Sequence, residues 1–262
     1  MNTMNETIPT AIKETLELRD LVPSEHVNKV MTNLVNSVIY DKKTAVASIE
    51  PALQATIRTI SSNAETEMEK YWAQVVIDAE KPHEALQDFP YIENYSELTE
   101  RELRLASETG LTLNQSCTAL IIGSGPLPLS AFEIHKQTGA HIEHVDGSEE
   151  AITLSKAISA ALQIDARFYC AMGDQVALMG TYELVLIAAL AGSSVEDKQR
   201  IVNNILPHLA PNGRIIIRSA KGNRELLYPV IDAAKLTGVR LLSEYHPTDH
   251  IINSVLIYER AL

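Results

Sequence analysis

The sequence predicts an α/β protein in which an all-α N-terminal domain, residues 1–110, precedes a Rossmann-like domain, residues 111–262. Three observations carry this reading. Residues 1 to about 110 show the three-and-four spacing of amphipathic helices and almost no glycine. From Ser116 onward, short apolar runs alternate with amphipathic stretches, the mark of a parallel sheet covered by helices on both faces. The first of those runs ends on Gly123-Ser124-Gly125, a turn at which backbone can approach a ligand closely.

In the first segment Ser24 caps a helix whose buried face is Val27, Val30, Met31, Leu34, Val35 and Val38. Pro51 opens a second helix, expected to continue to about residue 79. Within it Glu67 falls in register with Ile57, Ile60, Ala64, Tyr71 and Val75, so its carboxylate lies on the apolar stripe while Glu65 and Glu69 point elsewhere. Burial raises a carboxyl pKa and makes a glutamate a usable proton acceptor near neutral pH. A salt-bridged glutamate at the stripe edge fits the same spacing. After Lys81-Pro82 the chain is expected to form a short helix over 83–88. An aromatic loop with Phe89, Pro90, Tyr91 and Tyr95 comes next, then a polar surface helix over 99–107. Tyrosines on such a connection either meet a ligand or pack between domains.

In the second segment the expected strands are 119–122, 141–145, 167–169, 184–188, 214–218, 241–245 and 251–258, with helices between the first six. One helix starts near Pro126, with free N–H groups turned toward a ligand. Another spans 148–162, capped by Ser148 and carrying Glu149 and Glu150 in its first turn. No helix separates the last two strands, so they close the sheet as an antiparallel pair. That is the pattern of a class I S-adenosylmethionine (SAM) methyltransferase-like fold. Pro128 holds the place of the third glycine of a dinucleotide fingerprint, which disfavours NAD and FAD. Asp146 closes the second strand 21 positions after Gly125, where a carboxylate can take both ribose hydroxyls. A glycine turn and an acid together suit SAM, and a Rossmann-like turn without a ligand remains the alternative. At the other strand ends, Gly173 and Asp174 suit the adenine. Ala188, Ala189 and Leu190 offer backbone only, which counts against simple N-methylation. Arg218 is suited to a carboxylate or to an ion pair.

Composition narrows the field. A net charge of −12 argues against a nucleic acid or an anionic membrane as partner. No apolar run is long enough to span a bilayer, no secretory signal pattern is visible, and Cys117 and Cys170 fit a reducing compartment, so a cytoplasmic location is expected. His246, Asp249 and His250 are close in sequence, but Pro247 prevents a shared helical face, and no metal site is expected.

Gly123-Ser124-Gly125-Pro126-Leu127-Pro128-Leu129-Ser130 resembles the cofactor turn of the nicotianamine synthase family, G-[SG]-G-P-L-P-L-[ST]. Glu67-Met68-Glu69-Lys70 and the pair Phe89 and Tyr95 also resemble family segments, and the likeness spans most of the chain from about residue 60. The resemblance implies a SAM-consuming transferase that is not a methyltransferase. The 3-amino-3-carboxypropyl (aminobutyrate) arm of SAM passes to an amine, 5′-methylthioadenosine leaves, and the product is a nicotianamine-like metallophore. It implies Glu67 as catalytic base with Tyr95 as its partner. Gly123, Ser124, Gly125, Pro126, Leu127, Asp146, Gly173, Asp174, Ala188, Ala189 and Leu190 are then the cofactor contacts, and Tyr91, Arg218 and Tyr228 the substrate contacts. The helical domain becomes the lid and acceptor side of the site. The acceptor stays open between histidine, glutamate and a SAM-derived unit, and a homodimer is the candidate assembly. A SAM-dependent N-methyltransferase acting on a small amine and a non-catalytic SAM-binding module are the competing readings.

Overall fold

The computed structural model describes residues 7–261. Its N-terminal part is helical: α1 (Ile8–Leu16), α2 (Glu25–Tyr40), α3 (Pro51–Asp78), α4 (Pro82–Gln87) and α5 (Ile92–Glu108). Ser24 caps α2 through its hydroxyl, which accepts the Val27 N–H at 3.2 Å. Pro51 stands in the first turn of α3, where its missing N–H is no loss. With 28 residues, α3 is about 42 Å long. Near its start Ile57 joins Ile8, Leu34 and Val38 in an N-terminal core, and near its end Ala73 and Val76 pack on Leu127, Phe132 and Ile158. One helix therefore spans both halves of the molecule, and its middle crosses the cavity described below.

The second part alternates β1 (Thr118–Ile122), α6 (Leu129–Thr138), β2 (His141–Asp146), α7 (Glu149–Ala161), β3 (Ala166–Cys170), β4 (Tyr182–Ile187), α8 (Val195–Ile205), β5 (Leu209–Ser219), β6 (Val239–Tyr245) and β7 (Ser254–Arg260). The seven strands form one sheet in the order β3-β2-β1-β4-β5-β7-β6. The first five are parallel, while β7 runs antiparallel to both β5 and β6. The expected closing pair is thus present, and the sheet is of class I methyltransferase type. Strand order reverses between β1 and β4, where ligands of open α/β sheets bind. Both faces of the sheet are covered, which accounts for the unbroken apolar run of β1: Ala119, Leu120, Ile121 and Ile122 are all buried.

Four expectations need correction. No α-helix separates β3 from β4, and only short 3-10 turns lie between β5 and β6. The helix after the glycine turn starts at Leu129 instead of Pro126, because two prolines keep residues 126–128 out of the helical ladder. Tyr95 lies in the first turns of α5, which begins at Ile92, and not in a loop. Finally, α5 is no surface linker, since Leu98, Leu105 and Ala106 are buried against the sheet with Ile121, Leu186 and Ile216.

Candidate active site

The carboxyl ends of β1, β2 and β4 open into a cavity of about 790 Å³, within the usual ~300–1,000 Å³ of small-molecule sites. Its floor is the glycine turn. Gly123 and Gly125 have φ of +77° and +70°, a conformation that favours glycine. An added Cβ at Gly123 would meet Ala191 Cβ at 2.7 Å, so only a bare backbone lets the turn approach the end of β4. The N–H groups of Gly123 and Ser124 donate to Val145 O at 2.8 and 3.2 Å, and that of Gly125 to Asp146 Oδ2 at 2.9 Å. The donors of the turn itself are thus turned onto β2. A pyrophosphate cradle is not formed here.

The expected cofactor residues at the turn, Gly123, Ser124, Gly125, Pro126 and Leu127, all line this cavity. So do the strand-end residues Asp146, Gly173, Asp174, Ala188, Ala189 and Leu190. The Leu127 side chain itself is buried in the core below. Asp146 Oδ1 accepts the Ser148 N–H at 2.9 Å, so both its oxygens are fixed in place and each keeps acceptor capacity toward the cavity. Gly173 is held so close to Ile122 that a Cβ would stand 2.6 Å from its Cγ2. Asp174 pairs with Arg200 at 3.2 Å, and Arg200 also binds Asp197 at the start of α8. Below the end of β4, the fully buried Lys198 donates to Ala188 O at 2.5 Å and to Ala189 O at 3.3 Å. Burial pushes its pKa down to about 7.

On the helical side α3 presents Glu65 and Glu69, four residues apart and so on one face. Tyr95 Oη stands 3.2 Å from Glu65 Oε1 and 3.4 Å from Glu69 Oε1. Tyr228 Oη lies 3.1 and 3.0 Å from the two oxygens of Glu65. Desolvation raises the pKa of both acids. For Glu69 the neighbouring Glu65 and Asp146 add to the rise, whereas for Glu65 the hydroxyls of Tyr228 and Tyr95 oppose it. Glu69 is thus raised the further of the two, while the phenols of Tyr95 and Tyr228 favour the charged form of Glu65. Burial and the two carboxylates likewise raise Tyr95 and Tyr228 well above the ordinary phenol range.

A family model described as nicotianamine synthase protein matches residues 1–262. The chain belongs to the nicotianamine synthase family. Nicotianamine synthase of Solanum lycopersicum is 30% identical to it over 98% of this chain and 83% of that protein. Nicotianamine synthase 9 of Hordeum vulgare is 32% identical over 92% of this chain and 74% of that one. The crystal structure of MtNAS in complex with MTA and tNA superposes with a TM-score of 0.81 at 21% identity, covering 97% of both chains, which establishes a shared fold.

Within this nicotianamine synthase fold two expected residues, Glu67 and Tyr91, stand outside the main cavity. Glu67 does not line the cavity; its partly exposed carboxylate pairs with Lys70 at 3.1 Å, and Lys70 in turn reaches Glu150 at 2.7 Å. The buried stripe of α3 runs through Ile57, Ser61, Ala64, Ala73 and Val76, while Tyr71 is exposed. Registering the stripe on Tyr71 and Val75 rotated the helix and put the middle acid inside. The alternation of Glu65 and Glu69 at i and i+4 was the signal available in the sequence for the two acids that do face inward. Tyr91 lines a second cavity of about 400 Å³ between α2, α3 and α5, with its hydroxyl 3.4 Å from that of Thr32. Arg218 lines the main cavity, but its Nε and Nη2 bind Glu102 at 2.7 and 2.9 Å and Nη2 also binds Ser130 at 2.8 Å, joining β5 to α5 and α6.

The charge of the main cavity suits a cation. Asp174 and Asp197 share the single charge of Arg200, and Lys70 is paired with both Glu67 and Glu150. Glu65, Glu69 and Asp146 have no basic partner within ion-pair distance among the described residues. The histidines near the chain end do not converge: His246 meets Glu244 and Ser254, and His250 meets Glu97. Among the described residues no cluster of three or more His, Cys, Asp or Glu is arranged to hold a metal, and no helix is long and apolar enough to cross a membrane.

Proposed function

We propose that this member of the nicotianamine synthase family transfers the 3-amino-3-carboxypropyl group of SAM to an amine, releases 5′-methylthioadenosine, and uses Glu69 as the base. The product is a nicotianamine-like metallophore. One observation supports the assignment of the base above all. A Cβ added to Gly125 would stand 2.7 Å from Glu69 Oε2, so the raised carboxyl reaches directly over the cofactor turn.

The cavity fits the co-substrate in volume, in its acidic wall and in the carboxylate at the end of β2. Bound there, the sulfonium supplies a carbon activated for displacement and a neutral thioether as leaving group. What the chain adds is position and a proton sink. An acceptor enters as an ammonium ion, and its nearest anions are the Glu65 and Glu69 carboxylates. A cationic co-substrate in the cavity lowers the Glu69 pKa and frees its carboxylate, which then takes one ammonium proton. The nitrogen lone pair forms the new C–N bond as the C–S pair withdraws onto sulfur. The proton passes from Glu69 to solvent. Glu65, stabilised by Tyr95 and Tyr228, stays charged throughout and holds the ammonium in place.

Product mass tests this reading. Incubation with SAM and candidate amino acids is expected to yield methylthioadenosine and an acceptor heavier by an aminobutyrate unit. S-Adenosylhomocysteine and a methylated acceptor would instead establish a methyltransferase.

A further inference from the structure

The two cavities share four wall residues, Glu65, Tyr95, Tyr228 and Asn253, but their charges differ. Among the described residues the cations lining the main cavity are Lys70, Arg200 and Arg218. Lys70 and Arg200 are each paired with two acids. Arg218 gives Nε and Nη2 to Glu102 and Ser130, and its Nη1 makes no hydrogen bond among the described residues. A carboxylate therefore has a partner in the main cavity. Behind the shared wall the second cavity has apolar sides, with Val27, Met31 and Val35 from α2 and Met68 from α3. Besides phenols, its ionisable groups are Glu65, Glu93, Glu97 and His250, and among the described residues no Lys or Arg lines it. His250 Nε2 stands 2.9 Å from Glu97 Oε2, so any charge on the imidazole is answered within that pair. Neutral groups such as Thr32, Asn36 and Asn94 suit an uncharged polar partner. A carboxylate in this space would leave water, face three acids and meet no unpaired cation, and burying a charge in that way is costly.

We infer that the second cavity receives the acceptor's side chain and excludes carboxylates, so that the enzyme takes an acceptor without an acidic side chain and stops after one transfer. This rests on the transferase reading given above. With the acceptor's amine held by Glu65 and Glu69 at the shared wall, its side chain extends into the second cavity. Of the acceptors left open by the sequence, glutamate is thereby excluded. A second round meets the same barrier. The unit just added carries a new amine, and for that amine to reach Glu69 the first amino acid must slide through the wall by the length of the unit. Its carboxylate would then leave the side of Arg218 and enter the apolar space rimmed by Glu93 and Glu97. The product with one added unit departs instead.

The full-length enzyme with excess SAM is given each proteinogenic amino acid separately, so that glutamine stands beside glutamate and asparagine beside aspartate. Methylthioadenosine release and product mass are recorded together. The best acceptor is expected to have no acidic side chain, with kcat/KM for glutamate and aspartate at least tenfold lower, and the product is expected to carry a single aminobutyrate unit even after prolonged incubation. Thr32→Lys and, separately, Asn36→Lys place a cation at exposed positions of the second cavity. Each is expected to raise kcat/KM for glutamate relative to the best acceptor by fivefold or more, and to let a product with two units accumulate. SAM affinity and melting temperature serve as controls for folding, and either lysine variant carries the test if the other is unstable. Glutamate or aspartate as the best wild-type acceptor, a wild-type product with two or more units, or folded lysine variants that behave as the wild type overturn the inference. Failure of the transferase reading appears separately, as the absence of methylthioadenosine with every acceptor.

Discussion

Glu69 and Gly125 meet across the cavity so closely that the glycine hydrogen occupies the space a methyl group would need: Oε2 lies 2.7 Å from the position of an added Cβ. A Gly125→Ala variant must push the carboxylate aside, and at φ +70° it also carries about 1–2 kcal/mol of backbone strain. The expected outcome is a melting temperature lowered by a few degrees and a loss of transfer far larger than that change in stability implies. Methylthioadenosine release, followed by chromatography beside a thermal melt, checks both.

The two acids on either side of Met68 are expected to behave oppositely. Glu69→Gln keeps the cavity's shape and removes the proton acceptor, so transfer is expected to fall roughly 10²- to 10⁴-fold while SAM still binds. Glu67→Gln breaks a partly exposed pair with Lys70, worth about 0–1 kcal/mol, and activity is expected to stay within a factor of two or so. Calorimetric SAM affinity and initial rates on the two variants decide between the inward and outward acid.

Glu65 has a distinct electrostatic role that a pH profile can isolate. Desolvation and the charge of Glu65 both raise the Glu69 pKa, so kcat/KM is expected to climb with pH through a limb above the ordinary carboxylate range. Glu65→Gln removes the neighbouring charge and leaves an oxygen for both phenols. Glu69 then loses its proton more readily, and the limb is expected to move to lower pH by about one unit or more. A limb that stays put in E65Q separates Glu65 from the titrating group.

Much of the fold was legible in the sequence because it rests on local patterns. Apolar runs such as residues 119–122 and 184–187 can only be buried strands, and the missing helix before β7 announced the antiparallel closure. The glycine turn after β1 was legible for the same reason, its glycines being demanded by local geometry. What failed depended on which way a long helix faces. In α3 the stripe includes Ser61, and its two ends bury different sides against different cores, so a single apolar register through Tyr71 misplaced Glu67. The Arg218 to Glu102 pair joins residues 116 positions apart, and no spacing rule connects them. Lys198 likewise gave no signal, since a lysine in the first turn of a capped helix reads as a solvated one.

Lys198 is expected to be a positioning residue for the cofactor, and its burial gives the test a distinctive readout. Its two bonds hold Ala188 O and Ala189 O, and thereby the end of β4 against the glycine turn. Lys198→Met fills the volume but leaves those carbonyls without their donor. The KM for SAM is expected to rise about tenfold, equivalent to ~1.4 kcal/mol, with a smaller change in kcat. The native lysine's pKa of about 7 lies below the usual 10.5, so between these values the unfolded chain binds the proton that the folded one has lost. That contribution makes the wild type more stable as pH rises from about 7 toward 10.5, and in the methionine variant it vanishes. Urea titrations of both proteins at pH 7, 8 and 9 are expected to show midpoints that climb with pH more steeply in the wild type. Parallel slopes would place the ammonium group in solvent and remove it from the support of β4.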